Sequence, residues 1–330
     1  MKEQYVTEER PNSPRGRRAE QPSQIGGLGW LDIAWRVKRE MSDDNITMLA
    51  AGVAFYALLS LFPALAAVIS IWALVLDPHD IARQIAELSR FIPPGAAAII
   101  EHQANEISEN TDAGLSVTAL VSLVIAIFVA SKGVRGLILG LNIVYGEQER
   151  RRFVHRITVV SALTVGLIVL TLVTIVFIAG LPLVIGMLGL DSTLVTLINL
   201  LRWPILVLVM MLVIAVLYRF APYRRAPRWE WLSVGTVTAT LLWLLGSLGL
   251  SLYARYFANF NELYGSLGAV VVLLLWFWLS AFMVLVGAEL NGEMERQTGR
   301  DTTIGEPRPM GERGAHVADT LGKAHSWRKR

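Results

Sequence analysis

Six apolar runs, almost free of charge, organise the chain. They cover residues 46–76, 113–131, 157–189, 194–218, 231–253 and 264–288. About 20 apolar residues in a helix cross a hydrocarbon core roughly 30 Å thick. The pattern therefore predicts an all-α polytopic membrane protein with six transmembrane helices. The third run is long enough to tilt or to bend near Pro182, and Arg202 in the fourth sits where it can snorkel to the headgroups. Within the first run, "AGVAFYALLSLFPALAAVIS", a rotation of about 100° per residue collects Gly52, Tyr56, Ser60 and Pro63 on one stripe. Phe55, Leu58, Phe62 and Leu65 fall opposite. The small and polar stripe is expected to turn toward neighbouring helices.

The segments between and around the runs carry weaker patterns. Residues 30–44, which begin "WLDIAWRVKRE", place Trp30, Ala34, Val37 and Met41 on one helical face. That predicts an interfacial amphipathic helix, with a plain extension of the first span as the alternative. The first external loop, 77–112, repeats Ile81, Ile85 and Leu88 at helical spacing, breaks at Pro93 and Pro94, and resumes at Ile99, Ile100 and Ile107. Two short amphipathic helices are expected there. Residues 1–29 and 297–330 are polar and lack periodicity, so both tails are expected to be disordered.

Charge sets the orientation. Of 30 lysines and arginines, all but Arg83, Arg90, Arg202 and Arg255 fall in the termini or in the loops on the same side of the spans. Cytoplasmic loops retain basic residues, so both termini are expected in the cytoplasm. The amino-terminal segment has no apolar core before a small-residue cleavage site, and no removable signal is expected. Hydrophobic residues make up 54% and charged ones only 17%, too apolar a balance for a pair of water-soluble domains. With no cysteine, thiolate metal sites, disulfides and cysteine nucleophiles are excluded. The five histidines, His79, His102, His155, His316 and His325, lack ligand spacing, and no phosphate-cradling glycine loop opens a βα unit. No cofactor, metal or specific nucleic acid is expected, and no catalytic residue is assigned.

Candidate functional residues are those that are polar or backbone-special within the spans. Pro63 frees a carbonyl beside Tyr56 and Ser60, which makes either a polar notch or a close-packed contact. In "SKGVRGLILGLNIVYGE", Gly133, Gly136 and Gly140 share a face suited to another helix, and Lys132, Arg135 and Asn142 share its neighbour. The two cations either anchor the inner boundary or hold an anionic headgroup. Between the last two spans, Arg255 and Glu262 are placed to pair beside Tyr264, and Gly265 and Gly268 allow a tight re-entry. Glu289 is placed to bind Lys132 or Arg135, to relay protons, or simply to end the helix. No acidic residue lies deep in a span, which argues against ion coupling.

Four blocks in order, "LAAGVAFYALLSLFPAL", "SKGVRGLILGLNIVYG", "YRFAPYRRAPRWEW" and "FNELYGSLGAVVVLLLWFWLSAFMVLVGAELN", resemble the YihY/BrkB family of bacterial inner-membrane proteins. The resemblance covers about residues 30–295. It implies six transmembrane helices, residence in the bacterial cytoplasmic membrane, and an association with virulence. Some members carry a ribonuclease BN label, which no metal-binding constellation here supports. The expected activity is transport or flipping of an amphiphilic, anionic envelope molecule. The alternative is a structural or assembly protein, and ribonuclease activity ranks third. Expected partners are membrane lipids, a lipid-like anionic substrate, and a second copy or an envelope protein.

Overall fold

The computed structural model describes residues 15–75, 115–188, 192–256 and 268–325. The helices are α1 (Gly27–Asp43), α2 (Ile46–Val75), α3 (Leu115–Val144), α4 (Phe153–Leu188), α5 (Ser192–Phe220), α6 (Trp229–Tyr256), α7 (Gly268–Glu295) and a single turn, α8 (His316–Asp319). A 3-10 turn at Pro22–Gln24 precedes them. Six, α2 to α7, are long and apolar enough to cross a membrane, as the pattern predicts. No strand is present among the described residues; Pro227 and Thr303 form an isolated bridge. The helices expected in 77–112 lie outside the described residues, as do residues 1–14, Glu262, Tyr264, Gly265 and the side chain of Arg255.

The chain divides into two compact units. One comprises Met1–Met48, Ile138–Trp243 and Phe282–Arg330, the other Leu49–Leu137 and Leu244–Ala281. The boundaries fall inside α2, α3, α6 and α7.

In the first unit, α1 is separated from α2 by Asn45, whose φ of 52° is left-handed. Asparagine tolerates that region, so the backbone turns there without glycine. This break rules out a simple extension of the first span. The face expected to lie on the bilayer is also redirected. Trp30 and Val37 pack on a cluster of Ala19, Ile25, Ile33, Trp231 and Met294, contributed by the amino-terminal segment, α1 itself, α6 and α7. Helix α3 runs thirteen residues past Ser131, because Val134, Ile138 and Leu141 continue its buried face. It stops at Gly146, where φ is 65° and an added Cβ would stand 2.5 Å from the His316 ring. Helices α6 and α7 cross at Gly235 and Gly287; a Cβ on Gly235 would stand 2.2 Å from the Gly287 carbonyl oxygen.

The carboxy-terminal tail corrects the expectation of disorder. Arg313 is 4% exposed and donates to the carbonyls of Gly299 at 2.7 Å, Arg300 at 3.1 Å, Arg308 at 3.1 Å and Ala318 at 2.6 Å. Asp319 accepts from the backbone N–H groups of Gly311, Arg313 and Gly314. Residues 15–25 are tied to this segment: Arg17 donates to the Gly322 carbonyl at 2.7 Å, and Thr298 to that of Ala19 at 2.6 Å. Both segments are ordered by side chain to backbone bonds, which leave no hydrophobic period in a sequence.

Candidate functional site

Every fourth position from Asp32 is ionisable: Asp32, Arg36, Glu40 and Asp44. A four-residue step advances a helix by about 400°, so the three within α1 form a narrow stripe that Asp44 continues past its end. The end of α7 carries Glu289 and Glu293 at the same step, and Gln297 follows. The two series run antiparallel. Arg36, 3% exposed, engages the Glu293 carboxylate, donates to Gln297 Oε1 at 2.8 Å and to the Glu293 carbonyl at 3.0 Å, and reaches the Lys323 carbonyl at 3.1 Å. Glu40 lies 3.3 Å from Arg296, which also holds Glu293. Asp32 accepts from the His325 backbone N–H at 3.0 Å.

The last step breaks the alternation. Asp44 and Glu289 lie within hydrogen-bonding reach of each other, acid against acid. Glu289 is 1% exposed, and its Oε1 has no donor. The sequence leaves open a basic partner, a proton relay or an exposed helix end for this residue; its end is buried, and no basic side chain among the described residues forms an ion pair with it.

A second buried pair lies in the same unit. Arg224 and Glu295 meet at 2.6 Å with both side chains fully buried. The guanidinium stands 4.7 Å from the centre of the Tyr145 ring, and Thr302 donates to Glu295 at 2.7 Å. Burial pushes the Tyr145 hydroxyl well above the usual tyrosine range, against the opposing charge of Arg224. Asn142, a path candidate from the sequence, ties two loops: its Oδ1 accepts from the Tyr223 N–H at 2.7 Å, and its side-chain amide approaches Glu149 at 3.4 Å. Arg151 beside it caps the end of α5, donating to the carbonyls of Ala221 at 3.1 Å and Pro222 at 2.7 Å. Tyr218 donates to the Val284 carbonyl at 2.6 Å, beside Gly287. Gly140 lies against Leu285, and in the second unit Gly268 is buried at the start of α7.

The second unit holds the remaining candidates, and the stripe on α2 is rotated from the expected one. Ala50 and Ala54 are buried, whereas Tyr56 is 38% exposed and open space surrounds Gly52. Pro63 is half-buried, and Ser60 donates to the Ala57 carbonyl at 2.8 Å within its own helix. Helix α2 meets the glycines of α3 through Val53, the Tyr56 Cβ and Ala57. A Cβ on Gly133 would stand 3.5 Å from that of Tyr56, and one on Gly136 3.3 Å from Val53. Lys132 lies 4.6 Å over the Phe128 ring, and Arg135 is exposed. Neither is paired with a carboxylate among the described residues.

The four-residue charge series on α1 and α7 is present in the sequence as a signal, but the apolar positions of α1 mask it. Arg224, Glu295 and Tyr145 leave no comparable signal, because loop geometry brings them together. Among the described residues there is no group of three or more histidines, aspartates or glutamates that could hold a metal ion.

Six apolar spans joined to polar terminal segments with buried ion pairs define a polytopic integral membrane protein. No solved structure matches the chain. Its sequence matches the profile of the virulence factor BrkB family over residues 37–310, and the protein belongs to that family. It is 28% identical over 257 residues to the ribonuclease-like protein YfkH of Bacillus subtilis, covering 75% of this chain and 90% of that one. It is 26% identical over 271 residues to a UPF0761 membrane protein of Cronobacter sakazakii, covering 80% and 88%. A UPF0761 membrane protein of Tolumonas auensis is 26% identical over 283 residues, covering 83% and 89%.

Proposed function

We propose that the protein is a transporter or flippase of an amphiphilic anion in the bacterial inner membrane, with both termini in the cytoplasm. The observation that carries this reading is the pair Lys132 and Arg135, two cations inside the apolar span Leu123–Val144 with no carboxylate beside them among the described residues. They follow directly on the apolar run 113–131, at the depth of the headgroups, where a cation without a carboxylate attracts an anionic headgroup. Phe128, Lys132 and Arg135 follow one another on one face, and the exposed Val121, Val124 and Ile125 precede them. An anionic headgroup on the cations would leave its acyl chain along that apolar surface. In the same unit, a groove of about 260 Å³ walled by Gly246, Leu250, Tyr253, Leu275 and Trp278 offers further apolar volume. Orientation rests on the one-sided distribution of basic residues.

An assembly role would use the glycine faces as partner interfaces. Gly133 and Gly136 instead meet α2 of the same chain, which removes its main support.

The test is purified protein in zwitterionic vesicles carrying a trace of fluorescent phosphatidylglycerol or phosphatidylcholine. Wild type is expected to speed transbilayer movement of the anionic probe more than the zwitterionic one, and Lys132→Ala with Arg135→Ala to abolish the difference. Equal movement of both probes with wild type, or an unchanged preference in the double variant, would sink the proposal.

A further inference from the structure

We infer that Asp44 and Glu289 form a proton-binding site, one proton held between their two carboxyl groups where the turn after α1 meets α7. The register of the charged stripes brings them together. Arg36 meets Gln297 and Glu293, and Glu40 and Glu293 share Arg296, so each of these acids has a base beside it. Farther along the two helices Asp44 meets Glu289, and among the described residues no base forms an ion pair with either. Two carboxylates cannot remain in contact when both are ionised, and a shared proton converts the repulsion into a hydrogen bond. Glu289 has no recourse to solvent at 1% exposure, and its Oε1 lacks a donor.

The surroundings leave a proton as the neutralising species. Asp44 faces Glu40, Asp43 and Arg296 besides Glu289. Glu289 faces Glu40, Glu293 and, from the end of α3, Tyr145. Arg296, the cation that acts on Asp44, is already engaged by Glu40 and Glu293, and Arg36 by Glu293. Burial pushes the Asp44 carboxyl above its usual range; Glu40 and Asp43 add to the rise, while the contact with Glu289 and the charge of Arg296 oppose it. Release of the proton would leave two carboxylates facing each other, with Glu40 and Glu293 beside them. That repulsion acts between the start of α2 and the end of α7, at the Asn45 turn. Absence of an acid deep in the spans therefore does not exclude a proton site: here burial at a helix end supplies what depth would. The site does not depend on Lys132 and Arg135 handling an amphiphile.

The test uses the full chain in detergent micelles. Infrared difference spectra taken as pH rises from about 6 to about 10 should show loss of one protonated-carboxyl stretch in wild type and none in Glu289→Gln. Thermal unfolding over the same range supplies the second measurement. Between the unfolded carboxyl value of about 4 and the folded titration point the wild-type ratio of folded to unfolded protein should fall about tenfold per pH unit, and it should level off above that point. Asp44→Asn and Glu289→Gln should both flatten that slope, because an amide donates to the facing carboxylate without a proton. Either variant suffices should the other fail to fold. A missing band in wild type, a band retained in Glu289→Gln, or wild-type slopes in the variants would overturn the assignment. So would a pH slope abolished when sodium or potassium is added, since a metal cation would then be the ligand.

Discussion

Arg36 is the residue on which the terminal segments of the first unit depend most, and Arg36→Met is the sharpest perturbation of that unit. The variant keeps most of the apolar stem and removes only the guanidinium. Four acceptors lose their donor: the Glu293 carboxylate and carbonyl, Gln297 Oε1 and the Lys323 carbonyl. Removing one partner of a buried ion pair costs about 3–5 kcal/mol, because the other charge stays buried without compensation. Glu293 retains Arg296, which places the expected loss at the lower end, about 3 kcal/mol. Equilibrium unfolding in mixed micelles measures it. Combining Arg36→Met with Glu293→Gln removes both charges of the pair, and the double variant should be more stable than the sum of the singles by about 1–2 kcal/mol. A second readout is local. Lys323 offers its carbonyl to Arg36 and its side chain to trypsin, so cleavage after Lys323 should accelerate in Arg36→Met. A loss below about 1 kcal/mol with an unchanged cleavage rate would refute the claim that this guanidinium holds α1, α7 and the tail together.

Two further predictions probe helix contact and the tail. Gly287→Ala should destabilise by about 1–3 kcal/mol in the same unfolding assay, because its Cβ would stand 2.4 Å from the Tyr218 hydroxyl and 2.6 Å from the Gly235 carbonyl oxygen. Gly52→Ala, with open space around it, should be neutral or stabilising by up to about 1 kcal/mol, whereas an inward stripe would make it harmful. Asp301 tests the tail by pH: burial opposes its ionisation, but N–H bonds from Thr303 and Arg308 and the Thr303 hydroxyl outweigh it and hold its carboxyl below the usual 3.8. A depressed folded value contributes stability that is complete above 3.8 and lost as pH falls through the folded value, so pepsin should cut the wild-type tail faster as pH drops in that range. Asp301→Asn should remove this acid dependence.

The spans were legible because crossing hydrocarbon with satisfied backbone groups demands long uncharged helices, whatever the tertiary contacts. The rotation of α2 was not legible to the same degree. Tyr56 and Ser60 marked a polar stripe, yet Val53, the Tyr56 Cβ and Ala57 are what meets Gly133 and Gly136, because the approach to a glycine depends on side-chain size and not on polarity. The tail escaped for a different reason. Arg313 and Asp319 order it through backbone groups, and the partners of Thr298 and Gln297 lie at Ala19 and Arg15, nearly the whole chain away. Asp44 and Glu289 could be seen as charges but not as a pair. Their meeting is a matter of register between α1 and α7, and a shift of one residue would have set Asp44 against other groups.

Burial of ions in this unit argues for specificity more than for strength. A well-packed apolar interface of the same volume is often as stable as a buried ion pair, so Arg36–Glu293 and Arg224–Glu295 are poor devices for stability alone. They differ from an apolar contact in tolerating one register and penalising the rest, because a slipped α1 would strand a guanidinium or a carboxylate away from water. With register enforced at Arg36 and again at Glu40, the position of Asp44 against Glu289 is imposed on the pair and not chosen by it. The acid–acid contact is in that sense held in place by the two steps before it. A contact that is unfavourable when both groups are ionised, and kept by its neighbours, responds to a proton where an isolated pair would simply separate.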